Sequence, residues 1–153
     1  MTEPSATDKR GFFVLPQGYE GGGYYCYGTP SGGRGQYAHP RLISLIQEVA
    51  CEWSGLDTRK FGIGNISLAD GVRFSPHRSH MSGLDMDVRL MRTDGRPLPC
   101  TFRDHVYDRQ ATANLIALFR RLADVKHVLF NDVKIRGVTR AEHHDDHFHL
   151  TIK

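Results

Sequence analysis

The sequence predicts an α+β fold, a small antiparallel sheet flanked by two or more helices. Leu42, Leu45, Ile46, Val49, Ala50 and Trp53 recur at helical spacing, as do Leu115, Ile116, Phe119 and Leu122. The stretches from Asp85 to Leu90 and from His147 to Ile152 alternate with a period of two, as half-buried strands do. No internal repeat or linker separates these elements. With 153 residues the chain has the length of one domain. The expected organisation is a polar, mobile segment over residues 1–10 and a single domain over 11–153.

Each element has its own signal. Phe12 to Leu15 is an apolar run closed by Pro16, read as an edge strand. Gly18 to Gly35 is crowded with glycine and reads as a loop. Its Tyr24, Tyr25 and Tyr27 either line a groove or pack over the rim of the core. Pro40 suits the first turn of a helix, and Ser54-Gly55 is expected to end it. Phe61 to Ser67 reads as a strand whose glycines admit close approach of another segment, followed by a turn at Asp70-Gly71. From Asp85 onward, Met86, Val88 and Leu90 share one face, and Asp85, Asp87 and Arg89 the other. A second helix is expected from about Arg109 to Ala123, a buried strand over His127 to Phe130, and a strand over His147 to Ile152.

Composition excludes several classes. Hydrophobic residues at 39% and charged residues at 24% are ordinary for a globular protein. The net charge is only +3, and no basic run or aromatic-interleaved stripe suggests nucleic acid as a partner. No stretch approaches the length of a membrane span. Cys26, Cys51 and Cys100 lie far apart without a CxxC pair, so they read as buried free thiols, the alternative being a pairing of two of them in an oxidising compartment. The first ten residues carry no apolar core of a Sec signal peptide, so none is expected.

The chemistry gathers in two stretches. Ser79 to Asp87 supplies His80 and, seven residues on, Asp87; His144 to His149 supplies three histidines within six residues. Imidazole nitrogen and carboxylate oxygen are good Zn²⁺ ligands, and three protein ligands with one position open for water make the catalytic pattern. Period two puts His147 and His149 on one face of their strand, with Asp146 and Phe148 on the other. One imidazole can therefore hold metal while its neighbour stands beside the water. Asp87, on the polar face of a strand, has a rigid mount for a ligand.

These residues resemble the penicillin-insensitive murein endopeptidase family, within the LAS-type zinc peptidases that include lysostaphin, the D-Ala-D-Ala metallopeptidases and the hedgehog signalling domain. Ser79-His80-Met81-Ser82-Gly83-Leu84-Asp85-Met86-Asp87 looks like that family's S-H-x-x-G-L-D-x-D, and His144-Asp145-Asp146-His147-Phe148-His149 its H-x-x-H-F-H. Ala38-His39-Pro40-Arg41-Leu42 resembles G-H-P-x-L at a helix start, with alanine for the usual glycine. Phe130-Asn131-Asp132-Val133-Lys134 loosely resembles V-N-x-x-I-K. The order is kept from about residue 24 to 152. The chain is shorter than the family pattern, with fewer cysteines and no export signal.

The resemblance implies one Zn²⁺ per chain on His80, Asp87 and His149, with His147 and His144 in the catalytic shell. It implies hydrolysis of peptidoglycan peptide stems at the D-alanyl–diaminopimelate cross-link. The base is open between His147, favoured for supporting the tetrahedral intermediate, and Asp146, which alternation points away unless the strand begins after it. His144 is either a base or a support. His77 either touches metal or has a structural or surface role; His39 is expected to orient the helix start or a ligand rather than bind zinc; His105, His127 and His143 read as structural. A wall-cutting enzyme without a Sec signal would reach the periplasm by a type VI-like secretion system, with a carrier or an immunity protein as partner, or act as a phage lysin. The competing readings are a zinc-stabilised module that binds peptidoglycan without cutting it and a metal-dependent nuclease, for which no basic groove is visible.

Overall fold

The two alternating stretches lie side by side. β5 (Asp85–Arg89) pairs antiparallel with β7 (His147–Ile152), with Asp87 opposite His149 and Val88 opposite Phe148. The computed structural model describes residues 4–153. β2 (Tyr24–Cys26), β4 (Phe61–Ile63) and β6 (Val125–Leu129) complete a five-stranded sheet in the order β2-β4-β5-β7-β6, antiparallel except for the β2–β4 pair. β1 (Phe13–Val14) and β3 (Tyr37–Ala38) form a separate antiparallel ribbon.

Alternation gives the sheet two chemically different faces. Met86, Val88, Phe148, Leu150 and Ile152 are buried in one core with Phe61 and Ile63. Helices α1 (Pro40–Leu56) and α2 (Arg109–Leu122) supply Leu42, Ile46, Trp53, Leu115 and Phe119 to the same core. The Phe61 and Phe119 rings meet edge to face at 5.8 Å. Each such buried side chain stabilises the fold by about 1.5–3 kcal/mol. Asp85, Asp87, Arg89, His147 and His149 are thereby left to the other face.

His39 starts α1 as expected: its Nδ1 accepts from the Arg41 N–H at 3.1 Å, with Pro40 next in the chain. The helix passes the expected stop at Ser54-Gly55. The Ser54 hydroxyl donates back to the Ala50 carbonyl at 2.8 Å, a Cβ on Gly55 would meet nothing, and Asp57 ends the helix. Asp108 caps α2, accepting from the Ala111 N–H at 2.9 Å.

The glycine-rich segment is not loop throughout, because Tyr24–Cys26 is the sheet's edge strand. Its aromatic run favours a pleated surface and finds Phe61–Ile63 to pair with. Of the segment expected to be mobile, residues 1–3 lie outside the described residues, and the rest has contacts. The Asp8 side chain is fully buried in an ion pair with Arg10 at 2.7 Å and accepts from the Asp70 N–H at 2.8 Å. The Arg10 guanidinium reaches Ser67 Oγ at 3.0 Å and lies over the Phe12 ring. Polar composition signals mobility only where the charges lack partners, and here they have them. The three cysteines are free, though only Cys100 is buried. No helix of the described residues is long and apolar enough to cross a membrane.

Candidate metal centre

His80, Asp87 and His149 converge although 62 residues separate the last two. One potential ligand atom from each lies within 4.8 Å of the others, and all three residues are less than a tenth exposed. His80 Nε2 is 3.2 Å from Asp87 Oδ2, and His149 Nδ1 is 3.1 Å from Asp87 Oδ1. Asp87 and His149 come from facing positions of β5 and β7. His80 comes from the loop before β5 and has a φ of 64°, a left-handed conformation that costs a non-glycine residue about 1–2 kcal/mol. That loop is held at Gly83, whose φ is 72° and whose carbonyl accepts from the His39 N–H. A Cβ at Gly83 would come within 2.7 Å of the Phe12 ring.

The outward nitrogens show which atoms are left for a ligand. His80 Nδ1 faces the Ile66 carbonyl at 3.2 Å; a carbonyl only accepts, so Nδ1 is the donor there, and Nε2 is the nitrogen turned toward Asp87. His149 Nε2 faces Asp85 Oδ1 at 3.2 Å, which likewise leaves Nδ1 to point inward. Asp85 is fixed in turn by the Thr151 hydroxyl at 2.6 Å and the Ser82 hydroxyl at 2.8 Å. His127 Nε2 lies 3.0 Å from Thr151 Oγ1, and its ring stacks on His149. Metal-binding histidines hold their second nitrogen this way, on a carbonyl or a carboxylate. Two imidazole nitrogens and a carboxylate form a donor set that suits Zn²⁺ or a similar divalent ion.

Without an ion the cluster stores charge. Burial disfavours a charged His149, but hydrogen bonds to Asp85 and Asp87 more than offset it and raise its pKa to about 9. Burial also disfavours both carboxylates. Hydrogen bonds, from His149 and His80 to Asp87 and from His149, Thr151 and Ser82 to Asp85, hold them well below the ordinary range.

The other expected residues surround this centre. His147 turns Nε2 toward Asp87 Oδ1 at 3.6 Å, while its Nδ1 meets Asp146 Oδ1 at 2.7 Å. β7 begins at His147, so Asp146 escapes the alternation and stands beside that imidazole rather than inside the cluster. His144 packs its ring 4.8 Å from that of His147 and directs Nδ1 to the Glu142 carbonyl at 2.6 Å; burial lowers its pKa. His77 lies outside the cluster, edge-on to Phe74 and His80, with Nε2 3.4 Å from Asn65 Nδ2. His105 and His143 are exposed.

Asp85, Thr151 and His127 are the supports that motif reading passed over. Period two already put Asp85 on the face of Asp87, and it puts Thr151 on that of His149. Tyr27 and Arg89 share the same face. The guanidinium carbon of Arg89 lies 4.0 Å from the centroid of the Tyr27 ring, and a Cβ on Gly64 would stand 2.5 Å from Tyr27 Cζ. The Tyr27 hydroxyl is buried without a hydrogen-bond partner among the described residues, and burial pushes its pKa well up, so it keeps its proton.

A family model described as penicillin-insensitive murein endopeptidase matches residues 29–140. Curated proteins called penicillin-insensitive murein endopeptidase are similar over a shorter stretch. Those of Escherichia coli strain K12 / DH10B and Shigella boydii serotype 18 are each 36% identical over 58 residues, which is 37% of this chain and 21% of theirs. The aligned part thus spans about a fifth of those relatives' length. The family model runs from just after β2 through the His80–Asp87 loop and strand to the turn before His144, so most of the scaffold around the cluster is matched, and the chain belongs to the penicillin-insensitive murein endopeptidase family.

Proposed function

We propose that the chain is a zinc-dependent peptidoglycan endopeptidase with His80, Asp87 and His149 as ligands to one Zn²⁺. The observation that carries this is the pair of outward nitrogens. Both His80 and His149 spend their second nitrogen on a fixed acceptor, which leaves the inward nitrogen of each, beside one carboxylate, for an ion that would displace any proton it carries. Zn²⁺ in that position supplies a Lewis acid and makes water a nucleophile at neutral pH.

The chain's own groups do the rest. Asp146 accepts from His147 Nδ1–H, which leaves a lone pair on Nε2, the nitrogen facing the cluster. His147 is thus the general base that takes a proton from the attacking water and returns it to the leaving amine, and Asp146 orients it. His144, its Nδ1–H held by the Glu142 carbonyl, offers a second neutral Nε2 to the substrate. The substrate is a peptide cross-link of the cell wall, the D-alanyl–diaminopimelate amide, and the place of action is the periplasm.

Digestion of purified cell walls followed by mass spectrometry of the muropeptides tests the reading. Cross-linked dimers should give monomers, and a chelator should stop the reaction. Binding to walls with no change in the muropeptides would favour the zinc-stabilised binding module. Directed to the periplasm of a Gram-negative host by an added signal, the protein should cause lysis that His80→Ala abolishes.

A further inference from the structure

Arg89 is the unassigned cation of the site face. It lies two residues after Asp87 on β5 and opposite His147 of β7, on the sheet face that carries the cluster. Arg10, Arg59, Arg92, Arg103, Arg109 and Arg121 each pair with a carboxylate. Arg89 is half-buried and pairs with none among the described residues. Its partners are uncharged: it donates to the Pro97 carbonyl at 3.1 Å and faces the Tyr25 hydroxyl.

The guanidinium is nonetheless held in place. It lies over the Tyr27 ring at 4.0 Å and beside the Tyr25 ring at 5.9 Å. Those rings lie flat on the sheet because Gly62 and Gly64 give them room; a Cβ at either glycine would come within 2.6 Å of a tyrosine ring carbon. Next to this cation the Tyr27 hydroxyl is buried, with no acceptor among the described residues. A guanidinium held this way and paired with no carboxylate among the described residues is preorganised for an anionic acceptor from outside.

We propose that Arg89, stacked on Tyr27, is the carboxylate receptor of the substrate groove, selecting peptides that carry a free carboxylate on the residue beside the scissile amide. The reading rests on the peptidase function above and narrows its substrate class. A planar guanidinium gripped by aromatic faces presents its fork to a carboxylate, which a lysine does not do. Amidating the carboxylate α to the cross-linking amine removes the charge beside the scissile amide.

The test measures binding without cleavage. Isothermal titration of the zinc-loaded chain uses the uncross-linked stem tripeptide L-Ala-γ-D-Glu-diaminopimelate, as the free acid and with only the diaminopimelate carboxylate on the centre that bears the cross-linking amine amidated. Amidation should weaken binding about tenfold or more in the wild type, and less than about twofold in Arg89→Gln. Arg89→Lys should retain only part of the preference, and circular-dichroism melts check that both variants fold. Equal affinity for the two peptides in the wild type, no binding of either, or an undiminished preference in Arg89→Gln would overturn the proposal. Cleavage of a cross-linked dimer is scored separately. Carboxylate-dependent binding without cleavage removes the peptidase reading and leaves the receptor; cleavage indifferent to amidation does the reverse.

Discussion

His149 stands directly across the β5–β7 pair from Asp87, with Nδ1 3.1 Å from Oδ1. Backbone pairing alone therefore brings two of the three proposed ligands together. Elemental analysis should find one zinc per wild-type chain and almost none in His80→Ala, Asp87→Ala or His149→Ala. His149→Ala should also destabilise the metal-free fold by about 1–3 kcal/mol in urea melts, since it leaves Asp85 and Asp87 short of a donor. Full zinc occupancy in these variants would remove the ligand assignment.

Asp85 should matter to metal without touching it. Asp85→Asn keeps the shape but loses the charge on His149 Nε2, so competition against a zinc chelator should show affinity down about ten- to a hundredfold. Thr151→Val should give a smaller loss in the same direction. An unaltered affinity in Asp85→Asn would reduce it to a surface carboxylate.

His147 and Asp146 should separate chemistry from metal binding. His147→Ala should keep its zinc and lose about a hundredfold to ten-thousandfold in turnover of cross-linked dimers. Asp146→Asn should lose less, because an orienting partner is removed rather than the base. A dead Asp146→Asn beside an active His147→Ala would make Asp146 the base.

Proton linkage gives a signed prediction. The pKa of His149 in the metal-free fold is raised from 6.5 to about 9, so its contribution to stability is whole below pH 6.5 and disappears as the pH climbs through 9. The carboxyls of Asp85 and Asp87 are lowered from 3.8, so theirs is present above 3.8 and disappears as the pH falls below it. Thermal melts in chelator should peak between these limits and decline toward pH 9. Metal takes the position of the His149 Nδ1 proton, so calorimetry at neutral pH in buffers of different ionisation enthalpy should register about one proton released per ion bound.

Gly64 should resist substitution. Gly64→Ala drives a Cβ into the Tyr27 ring and should cost about 1–3 kcal/mol of unfolding free energy in denaturant titrations. An unchanged midpoint would show that Tyr27 can leave the sheet freely.

Much of this site was legible because strands write their faces into the sequence. Asp87 on β5, and His147 with His149 on β7, followed from period two, and His39 at the helix start followed from Pro40. Asp146 was ambiguous because its direction depends on whether the strand begins before or after it, and strand ends carry no sharp signal. His127 was taken as merely structural. Its role depends on which strand borders β7, and that adjacency is set by long-range packing. Tyr24–Cys26 was hidden by the glycines around it, and the fixed N-terminal charges by their distance from Asp70 and Ser67.

Two strands carry core on one side and chemistry on the other, and this constrains how the gene can change. Adding or deleting one codon within Asp85–Arg89 or His147–Ile152 would exchange the faces, driving carboxylates and imidazoles into the apolar layer and turning Val88 or Phe148 toward the substrate. Stability and activity would fail in a single step, with no functional intermediate. Length variation among homologues should therefore fall between these strands, in the segments around residues 90–108 and 130–146. The short runs that hold His80, Asp87 and His149 in phase should keep their length even where little else of the sequence survives.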